Sequence, residues 1–126
     1  TDTKIKSFLF AARRFVEAGY ELQITELDIA IPNISVGKYP DETQLDLQGK
    51  KYRYLMEGLM QLQDQGYVVS GVTLWGINDS NSWIMNNNLK DSHALLWNKQ
   101  NQEKPALRGM ALCSDIPAWF KYGLDL

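Results

Sequence analysis

Apolar positions Ile5, Phe8, Leu9, Ala12, Phe15 and Val16 recur at the one-, three- and four-residue steps of a helix near the start of the chain. That spacing predicts an amphipathic helix, with Thr3 as its N-cap and Gly19 as its stop. From Leu22 the period changes. Leu22, Ile24, Leu27 and Ile29 form a short apolar run, read as a buried strand over 22–29. Two carboxylates, Glu26 and Asp28, interrupt it. Alternate side chains of a strand share a face, so both acids are expected to project together. A buried or cleft-facing carboxylate is costly unless it is paired or used. The plainer alternative is an edge strand with solvated acids.

The segment from Ala30 to about Leu45 holds Pro32, Gly37 and Pro40. It is long for a connection, which marks it as a functional loop. Tyr52, Leu55, Met56, Leu59 and Leu62 then predict a second helix from Asp46 to about Gln65, ended by Gly66. Tyr67 to Trp75, rich in Val, reads as a second strand. Two strands joined through a helix make a βαβ unit, hence a parallel pair and an α/β fold. Asn78 to Asp91 is polar and reads as a second long loop, with Trp83 inside it. Leu95-Leu96-Trp97 is a short apolar piece. Pro105 sits in the first turn of a final helix, whose apolar face is Ala106, Leu107, Met110 and Ala111. The tail from Cys113, with Pro117, Trp119, Phe120 and Tyr122, reads as irregular and packed by its aromatics.

Parallel α/β folds carry their ligand sites at the carboxyl ends of the strands. Glu26 and Asp28 close one strand and Trp75 closes the next, so all three are expected on one rim. Composition narrows the chemistry. The 126 residues suffice for one domain with a core, and a net charge of -2 offers no basic field for nucleic acid or an anionic membrane. No apolar run reaches the roughly 20 residues of a membrane span. No leader is visible at Thr1, although a processed chain would not show one. The single Cys113 provides neither an internal disulfide nor a zinc site, and nothing indicates a metal or an organic cofactor. Four Trp and six Tyr are many for this length, and aromatic faces suit both cores and the stacking of sugar rings.

Three segments carry a resemblance to a known family. They are Ile24-Thr25-Glu26-Leu27-Asp28-Ile29, the run from Val72-Thr73-Leu74-Trp75-Gly76 to Trp83, and Leu95-Leu96-Trp97-Asn98 through Lys104-Pro105-Ala106. In this order and spacing they resemble the family-10 glycoside hydrolases, chiefly endo-1,4-β-xylanases. The resemblance runs from about Thr3 to Ala111. It implies that residues 1–126 are the C-terminal segment of a (β/α)8 catalytic barrel, equivalent to helix 6, strand 7, helix 7, strand 8 and helix 8. Such a barrel typically takes about 250 residues. The family's acid/base is a Glu after an Asn, and no Asn-Glu pair occurs in these residues. The family's early-strand substrate ligands and strand-6 His are likewise expected elsewhere.

By this resemblance Glu26 is the nucleophile of a retaining mechanism, in which two carboxyl groups stand roughly 5 Å apart across the scissile bond. Asp28 resembles the residue that orients a His beside the nucleophile. Trp75 and Trp83 resemble the aromatics that line the glycone side of the cleft. Trp97 and Trp119 are read as packing, Tyr52 and Tyr54 as packing or surface, and the sole His93 as a surface residue. Asn78 departs from a frequent hydroxyl residue and Trp97 from a frequent Phe. The implied substrate is xylan or a xylo-oligosaccharide, and secretion would follow from a polymer that cannot enter cells. The implied partner is the N-terminal part of the barrel or a second copy of the chain. The alternatives are a non-catalytic sugar-binding or structural half-barrel, or another retaining β-glycanase with a related barrel.

Overall fold

Residues 3–81 and 91–111 are described by a computed structural model. Trp83, Cys113, Trp119 and the aromatic tail lie outside them. Along the chain run α1 (Thr3–Glu17), β1 (Leu22–Leu27), α2 (Glu42–Asp64), β2 (Val69–Leu74) and α3 (Pro105–Ala111), with a short 3-10 turn at Asp79–Asn81. The two strands pair in parallel, as a βαβ unit requires.

The helices correct the sequence reading at their starts. Thr3 is the first helical residue of α1 rather than its cap. α2 begins at Glu42, four residues before the expected Asp46. The reason is local. The Asp41 carboxylate accepts the Gln44 N–H at 2.8 Å, and the Gln44 side chain accepts the Asp41 N–H at 2.9 Å. This reciprocal capping box satisfies two backbone donors that no earlier turn could use. At the other end Gly66 takes φ +93, a left-handed turn that glycine enters without a Cβ clash.

One side of α2 supplies the core. Tyr52, Leu55 and Leu59 pack with Ile5 of α1, Leu27 of β1, and Leu96 and Ala106 from the C-terminal side. A second cluster joins Leu62 to Ala12 and Val16 of α1 and Val69 of β2. α3 lies against α2 so closely that Gly109 meets Gly49 backbone to backbone.

Tyr52, left open as packing or surface, is fully buried. Its hydroxyl donates to the Ala94 carbonyl at 2.6 Å and accepts the Ile29 N–H at 3.2 Å. It thereby ties the segment leaving β1 to the segment preceding α3. Burial, reinforced by the Asp28 and Asp79 carboxylates and opposed by the Ile29 N–H, pushes the phenol far above its ordinary range. In the unfolded chain it ionises near its ordinary value, so the stability it contributes is present below about pH 10 and is lost as pH rises further. Tyr52→Phe is expected to cost about 1–2 kcal/mol in urea denaturation at neutral pH. It should also flatten the loss of stability above about pH 10. A variant that matches the parent in both would remove Tyr52 from this role.

Candidate active site

Glu26 is the next-to-last residue of β1, and Asp28 follows its end by one. The pairing is not regular there. Ile24 pairs with Val72 and Leu27 with Leu74, so β1 spends one more residue than β2 over the same stretch. This is a β-bulge, and it breaks strict alternation just where the first acid stands. Thr25 and Glu26 are both exposed, while Leu27 is buried. The buried strand expected from the apolar run is therefore half-covered, and the sheet of the described residues has only two strands. Even so, Glu26 and Asp28 line one cavity of about 480 Å³. Phe8 and Ile24 give it apolar wall, and Lys4 and Lys51 bring positive charge to the same space as the two acids.

Trp75 stands on the adjacent strand end. Its N–H donates to the Leu27 carbonyl at 2.9 Å, which carries the parallel ladder past Leu74. Its side chain is 44 % exposed. Glu26 thus stands near the end of β1, Asp28 just past it, and the half-exposed Trp75 just past the adjacent β2. Trp75 does not itself line the carboxylate cavity. Trp83 lies outside the described residues. Among the described residues no group of three or more His, Cys, Asp or Glu is placed to hold a metal ion, and no helix is long and apolar enough to cross a membrane.

Behind the rim lies a buried polar network. Asp79, four residues after Trp75, is fully buried. Its carboxylate accepts the Leu95 N–H at 2.9 Å and sits 3.0 Å from Lys104 Nζ. Lys104 Nζ also donates to the His93 and Leu95 carbonyls, at 2.6 and 2.7 Å. Burial lowers the Lys104 ammonium from its ordinary range, and Asp79 and Asp91 oppose that shift. Burial alone would raise Asp91. The Lys99 ammonium that hydrogen-bonds it, with help from His93, brings its carboxyl below the usual range instead. Gln48 of α2 donates to the Ile29 and His93 carbonyls at 2.8 and 2.7 Å.

His93 corrects the sequence reading outright. It was expected at the surface and is 1 % exposed. Its ring meets Tyr39 edge-on, with Nε2 3.2 Å from the Lys38 carbonyl. Its sequence context carried a signal in the Ala94-Leu95-Leu96 run that follows it directly, since all three of those residues are buried with it.

The family model for glycosyl hydrolase family 10 matches residues 1–112. The chain belongs to that family. Among curated relatives it is 32 % identical over 117 residues to endo-1,4-beta-xylanase Y of Acetivibrio thermocellus, covering 91 % of this chain and 10 % of that protein. It is also 32 % identical over 100 residues to a beta-1,4-xylanase of Dictyoglomus thermophilum, covering 75 % of this chain and 28 % of that one. A solved family-10 structure from Paenibacillus barcinonensis superposes with a TM-score of 0.74 at 27 % identity, over 94 % of this chain and 34 % of that one. A Clostridium thermocellum family-10 xylanase module complexed with xylohexaose gives 0.69 at 32 % identity, over 90 % and 20 %. The family-10 neighbours are TIM barrels, and this chain covers only a part of each. It spans less than a third of the curated relatives it matches.

Proposed function

We propose that this chain is the C-terminal part of the barrel of a retaining endo-1,4-β-xylanase, equivalent to helix 6 through helix 8. Glu26 is its nucleophile, Asp28 orients a neighbouring imidazole, and Trp75 stacks on the glycone sugar, joined by Trp83. The observation that carries this is the rim itself. Glu26 and Asp28 share one cavity at the carboxyl end of β1, and Trp75 leaves the adjacent parallel strand hydrogen-bonded to Leu27. The family match and the xylanase relatives supply the substrate class.

In the proposed step the Glu26 carboxylate attacks the anomeric carbon, and the glycosidic oxygen departs with a proton from a second carboxylic acid. Water, deprotonated by that same group, then releases the sugar. These 126 residues hold no Asn-Glu pair to provide the acid/base. On this reading the acid/base comes from outside these residues, from the N-terminal part of the barrel or a second copy, and residues 1–126 by themselves are inactive. β1 and β2 each keep an edge free of any described strand, which fits completion by further strands. Secretion follows from the polymeric substrate.

The test is intact mass after incubation with an activated 2-fluoro-xylobioside. This reagent has a good leaving group, so it needs the nucleophile far more than the acid. A single adduct on Glu26 is expected when an N-terminal barrel half is supplied, and none with the chain alone. An adduct on any other residue of the completed barrel would overturn the assignment. Failure to label with a xylobioside but labelling with the cellobiose or mannobiose analogue would favour another retaining β-glycanase.

A further inference from the structure

His93 and Asp79 face each other across the buried network with two polar atoms left unsatisfied. Neither His93 Nδ1 nor Asp79 Oδ2 has a hydrogen-bond partner, and they stand 3.8 Å apart. Lys104 Nζ approaches Oδ2 at 3.0 Å as an ion pair without the alignment of a hydrogen bond. Lys104 compensates the charge of Asp79 and donates to its Oδ1 at 3.3 Å, whereas His93 Nδ1 is left with no donor or acceptor in hydrogen-bond geometry, which is costly at a buried site. With Nε2–H donated to the Lys38 carbonyl, a neutral imidazole presents Nδ1 to Asp79 as a bare acceptor. One proton on Nδ1 turns two facing acceptors into a donor and an acceptor.

Two carboxylates and two ammonium groups surround the ring. Asp79 faces it from the segment after β2, and Asp91 stands 3.5 Å from Nε2. Lys104 balances Asp79, and Lys99 balances Asp91. From the loop after β1 come the Lys38 carbonyl and the Tyr39 ring edge, and α2 brings Gln48 and the neutral Tyr52 hydroxyl, which carry no charge. His93 itself is held at φ 42, a left-handed backbone position that costs a non-glycine residue, so the surroundings fix it in place.

The network also links the two halves of the rim. Ile29, one residue past Asp28, and Ile31 donate to the Ala94 and Ser92 carbonyls at 3.3 and 2.8 Å. Asp79, four residues past Trp75, is held by Leu95 and Lys104. We propose that His93 is a positioning residue of the rim: taking up a proton, it closes the contact to Asp79 and fixes the segment after Trp75 against the segment after Asp28. The functional meaning rests on the reading of Glu26 and Trp75 given above, but the coupling itself does not.

The full chain, labelled with 15N at indole and imidazole, tests it by NMR between about pH 5 and 8, the range in which imidazoles titrate. The Trp75 indole signal, assigned with Trp75→Phe, is expected to move with the same midpoint as the His93 imidazole signals. In His93→Gln, which keeps a donor for Lys38 and cannot titrate, that movement should vanish while circular dichroism is unchanged. A Trp75 signal that stays still while His93 titrates overturns the proposal. So does a His93 that keeps one protonation state throughout, or a Trp75 titration that survives in His93→Gln. If His93→Gln does not fold, the wild-type comparison alone decides. In the completed barrel, the pH profile of xylobioside labelling should lose the His93 step in His93→Gln. Absence of labelling with coupled NMR titrations intact would sink the functional reading and leave the coupling standing.

Discussion

Gly109→Ala is expected to destabilise the fold by about 3 kcal/mol or more. A Cβ at Gly109 would stand 1.9 Å from the Gly49 carbonyl oxygen and 2.8 Å from its carbon. Both atoms are backbone atoms in the middle of α2, so no side-chain rotation relieves the clash. α3 must move away from α2, and the move uncovers Ala106, which is fully buried. Single domains hold only about 5–15 kcal/mol in total, so a loss of this size is a large fraction. Gly49→Ala meets the Pro105 carbonyl oxygen at 2.7 Å, a smaller trespass on the same interface. The double variant should therefore cost less than the sum, since one displacement of α3 relieves both. Gly71, in β2, has nothing within 4 Å of a built Cβ. Gly71→Ala is the control, and should be neutral or stabilising by up to about 1 kcal/mol. Urea denaturation of the three single variants checks this. A Gly109→Ala loss under about 1 kcal/mol would mean that α3 is not seated on α2 as described.

The glycine contact shows where the sequence stops speaking. Apolar patterning located the three α-helices and two strands of the described residues, because the 3.6- and 2-residue repeats are written within single segments. It also put Glu26, Asp28 and Trp75 at the carboxyl ends of two paired strands, since parallel order follows from a strand–helix–strand alternation. What it could not supply depends on partners distant in the chain. The Ala94-Leu95-Leu96 run beside His93 points to burial but names none of its partners. Its burial comes from Lys38, Asp79 and Lys104, which only the folded chain brings to it. The small size of Gly109 is explained by Gly49, sixty residues earlier. The β-bulge beside Glu26 needs the register of two strands, and neither strand alone contains it. The early start of α2 was within reach, however. Asp41 and Gln44 have capping-box spacing and directly follow Pro40.

The bulge bears on the proposed chemistry because it leaves Glu26, the proposed nucleophile, turned outward at the end of β1. A regular β1 would direct Glu26 by simple alternation with Ile24 and pack it like its neighbours. The extra residue between Ile24 and Leu27 leaves Glu26 exposed in the cavity while Leu27 still anchors the core. If Glu26 is the nucleophile, Glu26→Gln in the completed barrel should lower kcat on the order of 10⁴-fold or more, with stability unchanged. The fold should survive because an exposed side chain at a bulge supports no core contact. Glu26→Ala makes the sharper test, since it opens space for a small anion. Azide added to that variant should restore cleavage of an activated xyloside and yield the α-glycosyl azide, because azide then attacks from the face Glu26 has vacated. A β-glycosyl azide would mean that Glu26 had been the acid/base and that the nucleophile lies on another strand. Full activity in Glu26→Gln would remove the residue from the reaction altogether. The stereochemistry of one small product thus separates a role in attack from a role in proton transfer, a distinction that loss of rate alone cannot make.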